Sequence, residues 1–151
     1  LGTLGACKKD DVKPPVDNVI QIDTTDKISD LVANGKTDYV IVTNNICSDT
    51  EYFAATEMSN FVKEITGVSV PVISEIAIDY SDDAKIISVG ETDVLEDAIG
   101  TIDKTELKED GFIVKTAGKS LFIVGANDRG TLYGVYDYLE KAFGVKFLSE
   151  D

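Results

Sequence analysis

Histidine and tryptophan are absent from the 151 residues, while methionine occurs once, cysteine twice and proline three times. Without histidine the chain lacks the commonest general base near neutral pH and the commonest transition-metal ligand. Any chemistry would rest on carboxylates, lysine amines or hydroxyls. The two cysteines, Cys7 and Cys47, form no C-x-x-C pair, which argues against a zinc or dithiol redox centre. Positive charge is scarce as well. Fourteen basic side chains face 28 acidic ones, a net charge of -14 that repels nucleic-acid phosphates and anionic lipid alike, so no nucleic-acid partner is expected. No internal repeat, low-complexity run or transmembrane-length apolar segment follows the first few residues.

What is present suffices for one globular domain. A chain of this length buries roughly 70% of its unfolded surface, and 43% hydrophobic with 28% charged residues is an ordinary globular composition. The first residues have a different character. Leu4-Gly5-Ala6-Cys7 places a branched apolar residue three before a cysteine and small residues next to it. That pattern resembles the lipobox of a lipoprotein signal peptide and implies acylation of Cys7 and attachment to a membrane through lipid alone. Lys8-Lys9-Asp10-Asp11 and Lys13-Pro14-Pro15 then read as a polar tether. The expected organisation is a signal-peptide remnant over 1–6, a lipidated cysteine and tether over 7–17, and a folded domain over 18–151. The expected location is the cell envelope of a bacterium, at the outer membrane, facing the periplasm or the surface. Cys47 has no base near it in sequence and reads as a small buried side chain.

Along the chain, Val19 to Ile22 reads as a strand and Asp26 to Asn34 as a short helix closed by Gly35. The β-branched run Tyr39-Val40-Ile41-Val42-Thr43 reads as a central strand. Ser48 and Glu51 have capping-box spacing, and Ala54, Met58, Phe61, Val62 and Ile65 recur at helical spacing up to Gly67. Glu57, Asn60, Lys63 and Glu64 fall on the wet side of that helix. Strands are expected over Val68 to Ser74 and Ala84 to Val89, and a short helix over Glu91 to Ile99. Gly111 to Thr116 and Ser120 to Val124 flank Ala117-Gly118-Lys119 as an antiparallel hairpin. A helix from about Arg129 to Phe143, capped by Asn127 or Asp128, and a strand Val145 to Leu148 complete the pattern. The fold class is α+β in two layers, one mixed β-sheet with two main helices packed on it. Ser149-Glu150-Asp151 follows that strand without a polar tail, so a further domain is expected after it.

Two segments imitate phosphate loops and one a calcium loop. Gly125 to Thr131 joins a strand to a helix but has no lysine after its second glycine, and Gly118-Lys119-Ser120 has Ile113 where the first glycine would stand. Asp79, Ser81 and Asp83 alternate like calcium ligands, but Ala84 and Gly90 occupy the positions that need Gly and Glu. No metal ligands, no cofactor and no catalytic residue are assigned. The remaining acids read as capping and solubility residues.

The last helix carries Leu132, Val135, Tyr136, Leu139, Ala142 and Phe143 as its inner stripe, leaving Gly130, Gly134, Asp137 and Lys141 opposite. Each glycine costs about 1 kcal/mol in a helix interior relative to alanine. A close approach by another segment to that face would give the glycines a purpose, with Arg129 beside them as a bidentate donor.

Leu121-Phe122-Ile123-Val124-Gly125, Asn127-Asp128-Arg129-Gly130-Thr131-Leu132-Tyr133-Gly134-Val135-Tyr136, Leu139-Glu140 and Gly144-Val145-Lys146-Phe147, together with Gly111-Phe112-Ile113-Val114, carry a resemblance. They resemble the N-terminal domain that precedes the catalytic barrel in α-glucuronidases, β-N-acetylhexosaminidases and related glycoside hydrolases. The resemblance implies a non-catalytic α/β domain that packs against and orients a downstream barrel, which supplies the catalytic acids. It assigns Arg129, Gly130, Tyr133 and Gly134 to the structural helix and its junction with the next domain, and Asp137, on the glycine face of that helix, is expected at the same interface. The chain by itself is then not an enzyme, whereas the full-length protein would be a glycoside hydrolase acting on polysaccharide. The alternative is a stand-alone carbohydrate-binding module, for which Tyr39, Tyr52, Tyr80, Tyr133, Tyr136 and Tyr138 supply stacking faces.

Overall fold

The computed structural model describes residues 19–22, 31–105 and 107–144. The leader with Cys7, the tether and the expected strand Val145 to Leu148 lie outside the described residues. Six strands form one mixed sheet: β1 (Val19–Ile22), β2 (Val40–Thr43), β3 (Val72–Ser74), β4 (Ile86–Val89), β5 (Phe112–Ala117) and β6 (Ser120–Gly125). Their order across the sheet is β1-β5-β6-β4-β2-β3. The strands β2, β3, β4 and β6 all run parallel, whereas β5 returns antiparallel to β6 and carries β1 parallel to itself.

The β-branched runs have the burial expected of central strands. Ile41, Ile87, Val89, Val114, Leu121 and Ile123 join one core and Val42, Ile86, Ile113, Phe122 and Val124 the other, on opposite faces of the sheet. Helices α1 (Asp49–Thr66) and α3 (Asp128–Phe143) cover the first face with Ala54, Met58, Phe61, Val62, Val135 and Leu139. The short helix α2 (Asp93–Ile99) covers the second with Val94 and Leu95, and Ile102 and Leu107 from the following loop pack beside them. The α+β layout with two main helices on one mixed sheet is therefore present, with α2 as a small cover on the reverse face.

Local signals explain the helix ends. Ser48 Oγ accepts the Glu51 N–H at 3.1 Å and caps α1 as the spacing predicts, with the Ser48 N–H favouring the charged Glu51 carboxylate. Gly67, at φ 81°, donates its N–H to the Lys63 carbonyl and closes α1. Asn127 Oδ1 accepts the Gly130 N–H at 2.9 Å to start α3, and Gly144 ends it at φ 74°.

Three expectations are corrected here. The helix drawn to Asn34 does not extend through the described part, because Asn34 (φ 55°) and Gly35 (φ 75°) make a tight turn with paired bonds between Ala33 and Lys36. Two consecutive left-handed residues suit a two-residue hairpin turn and cannot extend a right-handed helix. The strand drawn from Val68 pairs only from Val72, although Val70 is buried and the Pro71 carbonyl still accepts the Ile41 N–H at 2.8 Å. Proline tolerates this edge because it has no N–H to contribute. Glu57 is buried on the inner side of α1, and Ile65 is the partly exposed one.

The glycines of α3 face inward. A Cβ on Gly130 would collide with the Gly111 carbonyl oxygen, and one on Gly134 would lie 2.7 Å from Ile123 Cγ2 and 3.2 Å from the Phe112 ring. The segment that approaches this face is the domain's own β5–β6 hairpin. Alanine at either position gains about 1 kcal/mol of helix propensity against an overpacking cost of about 1–3 kcal/mol. The clash at Gly130 is with backbone, which cannot swing aside. Gly130→Ala should therefore lower the thermal unfolding midpoint of the domain, and lower it more than Gly134→Ala does. A midpoint unchanged or raised in Gly130→Ala would contradict this seating of α3.

Candidate functional site

The parallel arrangement of β2, β3, β4 and β6 brings their C-terminal ends, and the N-termini of α1, α2 and α3, to one edge of the sheet. Such an edge is where open α/β sheets place their ligand or partner contacts, because the loops there are free of the strand ladder. It gathers Asn44, Asn45 and Ile46 after β2, Glu75 and Ile76 after β3, Gly90 and Glu91 after β4, and Asn127 to Arg129 after β6.

Glu75 ties these loops together. Its side chain is buried, with Oε1 accepting the Asn45 N–H at 2.9 Å and Oε2 the Asp93 N–H at 2.6 Å. One carboxylate thus anchors the β2 loop and satisfies a free N–H at the start of α2. Asn44 adds a second tie, accepting the Ile46 N–H at 2.7 Å and donating to the Glu91 carbonyl at 2.8 Å. Between this loop and α2 lies a cleft of about 270 Å³ lined by Asn44, Glu91, Thr92, Asp93 and Ile102. Ser88 and Thr92 share a 2.6 Å hydroxyl bond beneath it, and Thr92 caps α2 through the Leu95 N–H.

The neighbouring acids feel one another. Glu51 lies against the bare Cα of Gly90, and burial holds its carboxyl above the ordinary 4.5, helped by Asp128 and Glu91 and opposed by the Ser48 N–H and by Lys104. Lys104 also pairs directly with Glu91. The acids at the helix N-termini complement the helix dipoles.

The junction residues read from the sequence do not gather on one exposed face. Arg129 is at this edge, donating to the Tyr133 hydroxyl at 2.5 Å and lying 3.6 Å from Asp110 Oδ2. Tyr133, Gly130 and Gly134 are buried within the domain, and Asp137 is largely buried and pairs with Lys141 at 3.0 Å. The tyrosines are similarly committed. Tyr39, Tyr133, Tyr136 and Tyr138 are buried, Tyr80 is half-buried with its hydroxyl on Asp82, and Tyr52 alone is exposed. They form no stacking row. Cys47 is half-buried, more open than the sequence suggested.

The lookalike loop from Gly125 to Thr131 is filled by its own chain. At Gly125 a Cβ would collide with the Thr131 amide, and the Thr131 hydroxyl accepts the Gly125 N–H at 2.9 Å, leaving no cradle for a phosphate. Among the described residues no group of three or more potential ligands is placed to hold a metal ion, and no helix is long and apolar enough to cross a membrane.

Two acids escaped the sequence reading. Glu75 follows a short strand with nothing to mark it as a brace. Glu57 had a signal, since it lies three residues after Ala54 and four before Phe61, on the buried side of the helical stripe. The Tyr136 hydroxyl donates to Glu57 Oε1 at 2.5 Å, joining α1 to α3 inside the core.

The fold is thus a small α/β domain with one braced sheet edge. The sequence profile described as Glycosyl hydrolase family 67 N-terminus matches residues 24–138, and the chain belongs to that family. Over 103 residues it is 33% identical to the Alpha-glucuronidase of Hypocrea jecorina, covering 68% of this chain and 12% of that protein. Over 89 residues it is 36% identical to Alpha-glucuronidase A of Emericella nidulans, covering 58% of this chain and 10% of that protein. The chain thus spans about a tenth of the length of these curated relatives.

The buried Glu57 gives the domain a pH signature. Burial raises its carboxyl above 4.5, and the Tyr136 bond only partly offsets this. Between the ordinary value and the raised one, the folded state binds more protons than the unfolded state, so stability falls as pH rises through that window. Glu57→Gln, which retains an acceptor for Tyr136, should flatten the decline in unfolding midpoint from pH 4.5 upward. Parallel midpoint curves for the two proteins would contradict the assignment.

Proposed function

We propose that this domain is the non-catalytic N-terminal part of a lipid-anchored, α-glucuronidase-like protein, where it packs against and orients a downstream catalytic barrel. The observation that carries the reading is the family match over residues 24–138, which takes in five of the six strands and most of α3. The side chains agree with a structural role. Glu51 caps α1, Glu57 bonds Tyr136, Glu75 braces two loops and Glu91 pairs with Lys104. A hydrolytic pair would hold two carboxyl groups about 5 to 9 Å apart across a sugar cleft, one as proton donor. These acids are occupied with the chain's own backbone and side chains instead.

The substrate of the whole protein would be a glycan bearing an α-linked glucuronic acid, by analogy with the relatives' names. Anchoring through an acylated Cys7 and a tether over 7–17 would hold the enzyme at the outer membrane, near polymeric substrate.

The test uses the full-length protein. Glu51→Gln and Glu91→Gln should leave kcat on an α-glucuronide within about twofold of wild type, since removing a transition-state contact costs far more. Deletion of residues 24–138 should lower the yield of soluble, active protein. A loss of kcat of about 100-fold or more in either point variant, with the fold intact, would make the domain catalytic and overturn the reading.

A further inference from the structure

The two most exposed of the large apolar side chains in the described domain are Ile46, at 86%, and Ile76, at 77%. Single exposed isoleucines are ordinary on a protein surface. These two stand on neighbouring loops. The Asn45 N–H reaches Glu75 Oε1 at 2.9 Å, and Ser74 Oγ meets Asn45 Oδ1 at 3.3 Å, one residue from each isoleucine or two. Tyr52 and Phe53, also largely exposed, follow in the first turns of α1 on the same edge.

The loops that carry them are tied by hydrogen bonds within the domain. The Ile46 N–H is taken by Asn44 Oδ1 and the Ile76 N–H by Ser74 Oγ, and both loops are tied through the buried Glu75 carboxylate. Burying a carboxylate costs desolvation that only its hydrogen bonds recover. A loop meant for water has no need of that arrangement, whereas fixed apolar anchors lower the ordering cost of an interface.

Building on the accessory-domain reading, we infer that this edge, with Ile46 and Ile76 as apolar anchors, is the seat of the downstream part of the same polypeptide. The relatives extend far beyond the matched segment, which is 10–12% of their length, so ample chain exists to cover it. The loops and helix starts of this edge carry more acid than base, with Asp49, Asp93 and Glu96 beside Glu91, which pairs with Lys104, and with Arg129 next to Asp110, on a chain of net charge -14. The covering surface is therefore apolar at its centre and basic at its margin. Helix α3 ends at the opposite edge, about 24 Å away for its 16 residues. A returning segment needs only about seven or eight extended residues to span that distance.

Hydroxyl-radical footprinting of the full-length protein, read by mass spectrometry at Ile46 and Ile76, tests this seat without any substitution. Reactivities are compared with those of the same residues in unfolded peptides. Coverage by the downstream part predicts oxidation at least about tenfold below the peptide values, as in a packed interface core. Values within about twofold of the peptides would overturn the inference. Protection that vanishes on dilution, as the mass falls from dimer to monomer, would also overturn it and assign the edge to a second copy. If the isoleucines react freely while deletion of residues 24–138 still impairs the protein, the seat fails and the accessory reading stands. If the deletion has no effect either, that reading fails as well.

Discussion

The close seating of α3 on the β5–β6 hairpin sets the rest of the architecture. Gly130 and Gly134 let the helix axis approach the sheet until Gly111, Phe112 and Ile123 meet backbone where other residues would carry a Cβ. With α3 this low, Tyr136 reaches Glu57 on α1 across the helix pair. The hydrophobic seam of Met58, Phe61, Val135 and Leu139 then closes between the two helices and the strands beneath. The glycines cost helix propensity, and the packing they permit returns it. The same helix starts at Asn127, immediately after β6, so its position also fixes which backbone and side-chain groups stand at the C-terminal edge.

Much of this was legible in the sequence because it is local. The Ser48–Glu51 capping spacing, the Gly67 stop, the β5–β6 hairpin and the continuous apolar strands all follow from residues a few positions apart. Most of what failed was long-range. Helical spacing placed the α3 glycines opposite an apolar stripe, but the stripe is wide, and the glycines mark the line of closest contact within it. Glu57 sat at a buried position that its charge argued against, and its partner Tyr136 is 79 residues away. At Asn34-Gly35 the turn chemistry of two left-handed residues outweighed a weak helical pattern. Glu75 acts through two backbone groups on separate loops, a role that no spacing announces.

The candidate site is correspondingly split. Arg129 stands at the C-terminal edge of the sheet, while Gly130, Tyr133 and Gly134 pack in the domain's interior. An edge where helix N-termini, a buried bracing carboxylate and exposed isoleucines converge suits protein contact better than chemistry. Glu75 and Glu91 there are held by the chain's own backbone and side chains, and four of the six tyrosines of the sequence are buried in the core. This agrees with membership of a family of N-terminal domains, and with relatives in which the matched segment is a small fraction of the whole.

The central claim is that this domain works by packing on the rest of its polypeptide. Scanning calorimetry of the full-length protein tests it most directly, because domains that share a substantial interface unfold in coupled fashion. The account predicts one coupled transition in which the domain and the downstream part melt together. Two independent transitions, with the downstream one unchanged when residues 24–138 are removed, would contradict it.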